Sequence, residues 1–316
     1  MSPSRRCTRP GLRAPWLAIL VVAIALAGCR RASPPDELPG ANSEPAGTVR
    51  LLADHLQNND LQAFARDALP AAEREQLAEA WAQGRSRWPL DELPLDEQLG
   101  PGLAILAAPD AEKQLLRSFE RQMAGQDRAL RDAARSLAVF GTQYVRTQGD
   151  YSEEERTHYA QVIAALGAWS TTAPLGDRKR AAAAIGQLTA GARARGLGGD
   201  EALAEAGMDG SLRRLGPFAA AIKNVLLDYG LDLDRSLADL RTGLVEEEGD
   251  HATVRIHYSL EGSEIDTRAS LSRRDGRWYL TDYLEHAAAL LATPAPAPLL
   301  PGLPAPPPPA DPAAAR

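Results

Sequence analysis

Residues 252–260 read ATVRIHYSL, in which apolar and polar side chains alternate along the whole stretch. Side chains on a β-strand point alternately to its two faces, so this two-residue period predicts a strand with one buried face. Residues 265–272 alternate in the same way, and the Asp-Gly pair at 275–276 is a strong hairpin signal before the run WYL. With residues 243–248 added, the sequence predicts an antiparallel meander of three or four strands over residues 242–287.

The pairing of these strands can be tested on the sequence. A turn centred on residues 262–263 pairs Val254 with Leu271, and a turn centred on residues 275–276 pairs Leu271 with Leu280. Directly opposed residues share one face of a sheet, so both turns place apolar side chains against apolar side chains. This agreement predicts a sheet with a continuous apolar face.

The chain before the sheet, residues 47–241, has a helical period and is rich in alanine and leucine. Ser152 and Glu155 have the spacing of a capping box that opens a helix. The prolines in residues 85–109 predict an irregular connector. The apolar spacing of residues 111–147 predicts one long helix. The predicted fold class is therefore α+β: a mainly helical body with a C-terminal antiparallel sheet packed on helices.

The polar face of the predicted sheet provides the strongest candidate for a ligand site. The predicted pairing places His257 beside Arg268, and Arg268 beside Tyr283, with Arg255 nearby. Arginine offers a forked donor for a carboxylate or another small anion, and histidine and tyrosine add polar contacts. The alternative, which the sequence favours, is a polar face that simply meets water.

Residues 1–28, which precede Cys29, have the parts of a signal peptide. Four arginines and no acid occupy the first 15 residues, and an apolar run of twelve residues, WLAILVVAIALA, follows at 16–27. This run is too short for an ordinary membrane-spanning helix. It ends in LAGC, which resembles the lipobox of bacterial lipoprotein precursors. The resemblance implies a lipid thioether on Cys29, cleavage between Gly28 and Cys29, and a further acyl chain such as palmitate on the new amino group.

The alternative for this leader is an ordinary secretory signal, or an uncleaved anchor, with a chance cysteine. Arg30 follows the cysteine, and by resemblance to lipoprotein sorting signals this favours the outer membrane, facing the periplasm. Residues 29–46 are rich in proline, glycine, serine and charge, which predicts a flexible tether. The proline- and alanine-rich residues 293–316 predict a disordered tail, either without a partner or as a ligand for another envelope protein.

Charge and cysteine content exclude several functions. Residues 1–28 carry four arginines and no acid, so their removal takes the net charge from −7 to −11. Such an acidic chain has no electrostatic footprint for nucleic acid. The two cysteines are Cys7 and Cys29, so no free thiol remains after processing for a disulfide or a nucleophile. The five histidines show no metal-binding spacing, and we predict neither a metal nor another cofactor.

The segment 231–286 resembles the final strands of cystatin-like and nuclear-transport-factor-two-like α+β folds. The resemblance lies in the strand at 252–260 and in the phrase DGRWYL at 275–280. It implies that residues 51–64 form the opening helix, with a large helical insertion after it. It also implies a concave sheet that can hold a ligand, with Trp278 packed beneath it, and it implies no activity.

The sequence therefore favours a non-enzymatic, lipid-anchored protein of the bacterial envelope that binds a small ligand or an envelope protein. No Gly-x-Ser-x-Gly, Ser-x-x-Lys or comparable catalytic motif occurs. One alternative is an envelope hydrolase, for instance on peptidoglycan, whose active site is dispersed along the chain. Another is a structural spacer or assembly factor within an envelope complex.

Overall fold

The computed structural model describes residues 43–93, 96–148 and 151–292. The predicted signal peptide with Cys29, and the predicted disordered tail at 293–316, lie outside the described residues. None of the described helices combines the length and apolar character that a bilayer-spanning helix needs.

The described residues form a mainly helical body and one four-stranded antiparallel sheet, which confirms the predicted fold class. The helices before the sheet are α1 (Pro45–Gln57), α2 (Leu61–Ala68), α3 (Ala71–Ala82), α4 (Leu99–Ala107), α5 (Ala111–Gln122), α6 (Asp127–Thr147), α7 (Glu153–Ser170), α8 (Arg178–Ala194), α9 (Asp200–Asp228) and α10 (Leu233–Ala238), with short 3-10 turns at Leu90–Glu92 and Asp96–Gln98. The strands are β1 (Arg241–Glu248), β2 (His251–Leu260), β3 (Ser263–Arg274) and β4 (Arg277–Leu280), and helix α11 (Thr281–Ala292) follows them.

The strands pair in chain order, but the predicted pairing of β2 with β3 is wrong by two residues. Val254 lies opposite Ala269, not Leu271, because the turn is centred on Glu261 and Gly262. Both of these residues have positive φ, 47° and 78°, as a tight two-residue hairpin turn requires. A shift of two residues keeps each side chain on its predicted face, so the apolar face survives. The predicted pair Leu271–Leu280 is confirmed.

Three helix boundaries also differ from the predictions. Gly125 has a φ of 73°, which ends α5 and separates it from α6, so residues 111–147 form two helices. The predicted connector at 85–109 contains α4, because Pro101 lies in the first turn of that helix, where no backbone N–H bond is lost. The predicted meander 242–287 ends early, since β4 stops at Leu280 and α11 begins at once.

Buried side chains of the described residues form three clusters. The largest joins the helices around Trp81, Trp88 and Leu212, and it includes α11. A second lies where α1 crosses the inner face of the sheet, around Val254 and Trp278. The third is formed at the other end of the same face, under α7 and α10, by Ala165, Leu231, Leu260 and Ile265. The middle of the inner face lies between these two smaller clusters.

Candidate functional site

A cavity of about 430 Å³ lies against the middle of the inner face of the sheet. Side chains from β2 and β3, among them Ile256 and Ala269, form its floor. Helices α1, α7, α10 and α11 form its walls, and most of the lining side chains are apolar: Val49, Leu52, Ala53, Leu56, Phe64, Val162, Leu233, Leu237, Leu240, Leu260 and Leu280. The cavity therefore offers an apolar surface to whatever enters it.

Helix α7 closes one side of the cavity because it is fixed to the free edge of β3. Strand β4 pairs only with residues 271–274 of β3, which leaves the earlier part of β3 with unpaired backbone groups. The side-chain amide of Gln161 satisfies both groups of Asp266: it accepts from the backbone N–H at 2.9 Å and donates to the C=O at 2.8 Å. This pairing takes the place of a strand at that edge.

One end of the cavity is polar. The first turns of α7 and α11 meet there and contribute Glu154, Glu155, Tyr159, Asp282 and Tyr283 to its lining. The capping box predicted for α7 is present and fixes this end. The Ser152 backbone N–H donates to Glu155 Oε2 at 2.9 Å, and the Ser152 hydroxyl accepts from the Glu155 N–H at 3.2 Å.

The buried setting changes the ionisation of this polar end. Burial raises the pKa of Asp282, and the nearby charge of Glu155 raises it further. Burial, together with the charge of Glu155, also raises the pKa of Tyr159 to about 12, so its hydroxyl keeps its proton. Among the described residues, the Asp282 side chain has no hydrogen bond and no close ion pair. The acids at this end are thus left without an adjacent neutralising cation.

Tyr283 brings an unused hydroxyl to the same end. Its ring makes edge contacts with Phe64 and Trp88, at centroid distances of 6.1 Å and 6.5 Å. Burial raises the pKa of the Tyr283 hydroxyl. The side chain keeps some accessible surface, because it lines the cavity. Within the described part of the chain, no group hydrogen-bonds to its hydroxyl.

His158 and Tyr258 form a neutral pair in the cavity wall. His158 Nε2 lies 2.8 Å from the Tyr258 hydroxyl. Burial lowers the pKa of His158, so the imidazole is neutral near pH 7, and burial raises the pKa of Tyr258 to about 12. The pair therefore satisfies its own hydrogen bond and supplies no charge to the cavity.

A histidine close to the polar end already has a partner. His286 Nδ1 lies 2.8 Å from Glu92 Oε2, one turn along α11 from Asp282. Burial by itself would lower the pKa of His286, but the bond to Glu92 and the charges of Glu155 and Asp282 raise it overall. Burial raises the pKa of Glu92. The His286 imidazole offsets the charge of Asp282 only in part, because Glu92 shares the same imidazole.

The structure does not assemble the predicted anion site. Arg255 lies opposite Arg268, and His257 lies opposite Asp266, on the outer face of the sheet. Arg255 bonds to the Asp266 carboxylate, and His257 Nε2 lies 2.8 Å from Glu264 Oε2. Arg268 is exposed and only borders the cavity at the edge of β3.

Tyr283 lies on α11 and not on an extension of β4, and of these three residues only Arg268 shares the lining of the cavity with it. The predicted pairing of Arg268 with Tyr283 on adjacent strands is therefore wrong. The two-residue change in pairing and the early end of β4 together account for the difference.

The residues of the polar end were not predicted as a site. Ser152 and Glu155 gave a local signal, but only for the start of a helix. Tyr159 follows Glu155 by four residues, and this spacing places both side chains on one face of α7. Their approach to Asp282 and Tyr283 depends on the packing of α7 on β3, which the sequence spacing does not encode.

The pair of carboxylates bears on the hydrolase alternative. Glycoside hydrolases use two facing acids, and Glu155 and Asp282 do line one cavity. However, one oxygen of Glu155 is held by the capping box, and the remaining walls are apolar, which does not suit a hydrated sugar chain. In the described residues, no group of three or more His, Cys, Asp or Glu side chains is placed to hold a metal ion.

Comparison of the chain with protein-family models, with curated proteins and with solved structures found no match. The resemblances to lipoprotein precursors and to cystatin-like folds therefore stay predictions from the sequence. The function has to be argued from the chemistry of the cavity.

Proposed function

We propose that this protein is a lipid-anchored binding protein of the bacterial envelope, which holds a small and mostly apolar ligand in its cavity. One observation carries the proposal: a cavity of about 430 Å³ with apolar walls and a few polar groups gathered at one end. Ligand sites typically occupy about 300–1,000 Å³ and have this composition. Protein interiors are otherwise close-packed, so a space of this size is unusual without a ligand.

The proposed location rests on the lipobox resemblance at Cys29. Two or three acyl chains would hold the protein at a bilayer surface, because each buried methylene contributes about 0.8 kcal/mol. The chain that follows, with a net charge of −11, would be repelled by anionic headgroups and gains nothing from them. We accordingly place the protein on the periplasmic side of the envelope, at the outer membrane.

Filling the cavity is the direct test of this proposal. Ala269→Phe adds a ring to the cavity floor, and we expect it to weaken binding of the neutral apolar dye N-phenyl-1-naphthylamine by at least about tenfold, or 1.4 kcal/mol. Dye fluorescence in a titration measures the Kd, and circular dichroism checks that the fold is retained.

Ser270→Phe is the matched control, because it adds the same ring to the outer face of the same strand. Its Kd should equal that of the unmodified protein. Equal dye affinity in folded Ala269→Phe would show that the dye binds elsewhere, and it would remove the support for a cavity ligand.

A second function, docking to another protein, is favoured by an exposed apolar stripe on α6. Leu137, Phe140 and Tyr144 lie within two turns of one another, and their exposed fractions are 68%, 68% and 45%. The Phe140 and Tyr144 rings stack at 6.2 Å. Helix α6 packs mainly on α7, so this face is open to solvent. An amphipathic helix of a partner protein could pack along such a stripe and extend the pair into a bundle.

Site-specific photocrosslinking from position 140 in cells tests this second function. We expect a discrete crosslinked protein, and we expect Leu137→Glu to lower its yield at least about fivefold, because a charge in the stripe must be desolvated on docking. Val139→Glu is the control. Val139 is about as exposed as Leu137 but lies about 200° around the helix from it, outside the stripe. Equal yields in both variants would exclude the stripe as the interface.

A further inference from the structure

The polar end of the cavity has an excess of negative charge. Glu154, Glu155 and Asp282 all line it, and the nearby imidazole of His286 is bound to Glu92. Arg268 also lines the cavity, at the edge of β3, although it belongs to the outer face of the sheet. Among the described residues, the lining therefore carries three carboxylates and one arginine, which is an excess of negative charge.

The same end has hydrogen-bonding groups that nothing in the described structure uses. The Tyr283 side chain lines the cavity and keeps some accessible surface, and its hydroxyl has no hydrogen-bond partner among the described residues. The Asp282 carboxylate is likewise without a bond. A ligand that displaces water from this end must supply partners to both groups, which favours a head that can contact the Tyr283 hydroxyl and the Asp282 carboxylate together.

Aromatic rings stand beside these acids. Tyr159 and Tyr283 line the cavity next to Glu155 and Asp282. The face of an aromatic ring attracts a cation, and a carboxylate accepts charge-assisted bonds from ammonium donors. An ammonium head has up to three N–H donors, which suits two carboxylates and a tyrosine oxygen acting as acceptor.

We infer that the ligand is an amphipathic amine, whose ammonium head lies between Asp282 and Glu155, against Tyr159 and Tyr283, and whose apolar chain runs along the sheet. The inference rests on the proposed function and adds the chemical class of the ligand. An anionic head would be repelled by the acids. A neutral alcohol would leave the carboxylates buried without a counter-charge, which costs more than pairing them.

Three probes that share one chain and differ in head charge test the inference. Octylammonium, octanol and octanoate are titrated at pH 7.5 against protein loaded with N-phenyl-1-naphthylamine, and dye displacement gives each Kd. We expect octylammonium to bind at least about tenfold more tightly than octanol, and octanoate to bind more weakly than octanol.

Two conservative variants locate the head group. Asp282→Asn keeps the shape of the side chain and removes its charge, and Glu155→Gln does the same while still allowing a capping box. Each should reduce the preference for octylammonium over octanol at least about fivefold and leave the octanol Kd within about twofold. Glu285→Gln is the matched control, because it removes an exposed charge from the same helix, and it should leave the preference unchanged.

The outcomes separate this inference from the proposed function. If octanol and the dye bind in the cavity but octylammonium has no advantage, the amine assignment is overturned and the cavity ligand stands. The same holds if the preference survives in both Asp282→Asn and Glu155→Gln. If neither the dye nor any octyl probe binds, the proposed function fails and the amine assignment fails with it.

Discussion

Gly216→Ala is expected to lower the free energy of unfolding by about 3 kcal/mol, although alanine is the better helix former. Gly216 is buried in the long helix α9. A Cβ atom at this position would lie 2.4 Å from the backbone oxygen of Asn59. This oxygen belongs to the turn between α1 and α2, so relief of the clash requires a shift of the backbone.

The turn has little freedom to move. Asn59 adopts a φ of 57°, and the neighbouring carbonyls of Leu56 and Gln57 accept hydrogen bonds from Lys223 Nζ at 3.1 Å and 2.9 Å. Helix α9 therefore holds the end of α1 at two points, at Gly216 and about two turns later at Lys223. Because α1 is a wall of the cavity, we expect Gly216→Ala to weaken dye binding as well.

Gly186→Ala provides the control for this prediction. Gly186 lies in α8, and a Cβ atom there would have the flexible end of Glu112 as its nearest neighbour, at 3.7 Å. This substitution should be neutral or should stabilise the protein by up to about 1 kcal/mol. Urea unfolding followed by tryptophan fluorescence gives both free energies. Equal stability of the two variants would mean that α9 and the turn do not pack closely at Gly216.

The parts of the fold that could be predicted are those specified by local signals. The period of two in β2 and the Asp-Gly turn before β4 depend on residues a few positions apart, and the structure has both. The capping box of Ser152 and Glu155 is another such signal, and it opens α7 where expected.

The pairing of β2 with β3 was predicted less well, for a physical reason. A shift of two residues preserves the apolar face, so the pattern of side chains does not distinguish the two pairings. The choice lies in the turn, where Glu261 takes positive φ, a conformation that glutamate rarely adopts. The end of β4 was missed although Asp282 and Glu285, three residues apart before an apolar run, have the spacing of a helix start.

The candidate site could not be predicted from spacing at all. At its polar end Glu155 and Asp282 line the same cavity. Along the chain they are separated by most of α7, three further helices and the whole sheet. Gln161 brings these parts together by bonding to the edge of β3. A glutamine in the middle of a helix gives no indication in the sequence that it serves as an edge partner.

Cys29→Ala is expected to have the largest effect of all on location, moving nearly all of the protein from the membrane fraction to the released fraction. The reason is that the proposed anchor consists of acyl chains on this residue, each worth about 0.8 kcal/mol per buried methylene. The acidic chain offers no basic patch that could hold it at anionic lipid instead. Incorporation of labelled palmitate, followed by fractionation and immunoblotting, measures both acylation and location.

Cys7→Ala is the matched control, because Cys7 lies in the part of the leader that processing would remove. The Cys7→Ala protein should be acylated and located like the unmodified protein. Label in Cys29→Ala, or unchanged recovery with membranes of Cys29→Ala protein that has lost its leader, would overturn the lipid anchor. The cavity is built from residues between Val49 and Tyr283, so released Cys29→Ala protein should bind the dye with unchanged Kd. Loss of both location and binding would instead indicate that the protein folds correctly only after export and acylation, which would tie the two halves of the proposal together.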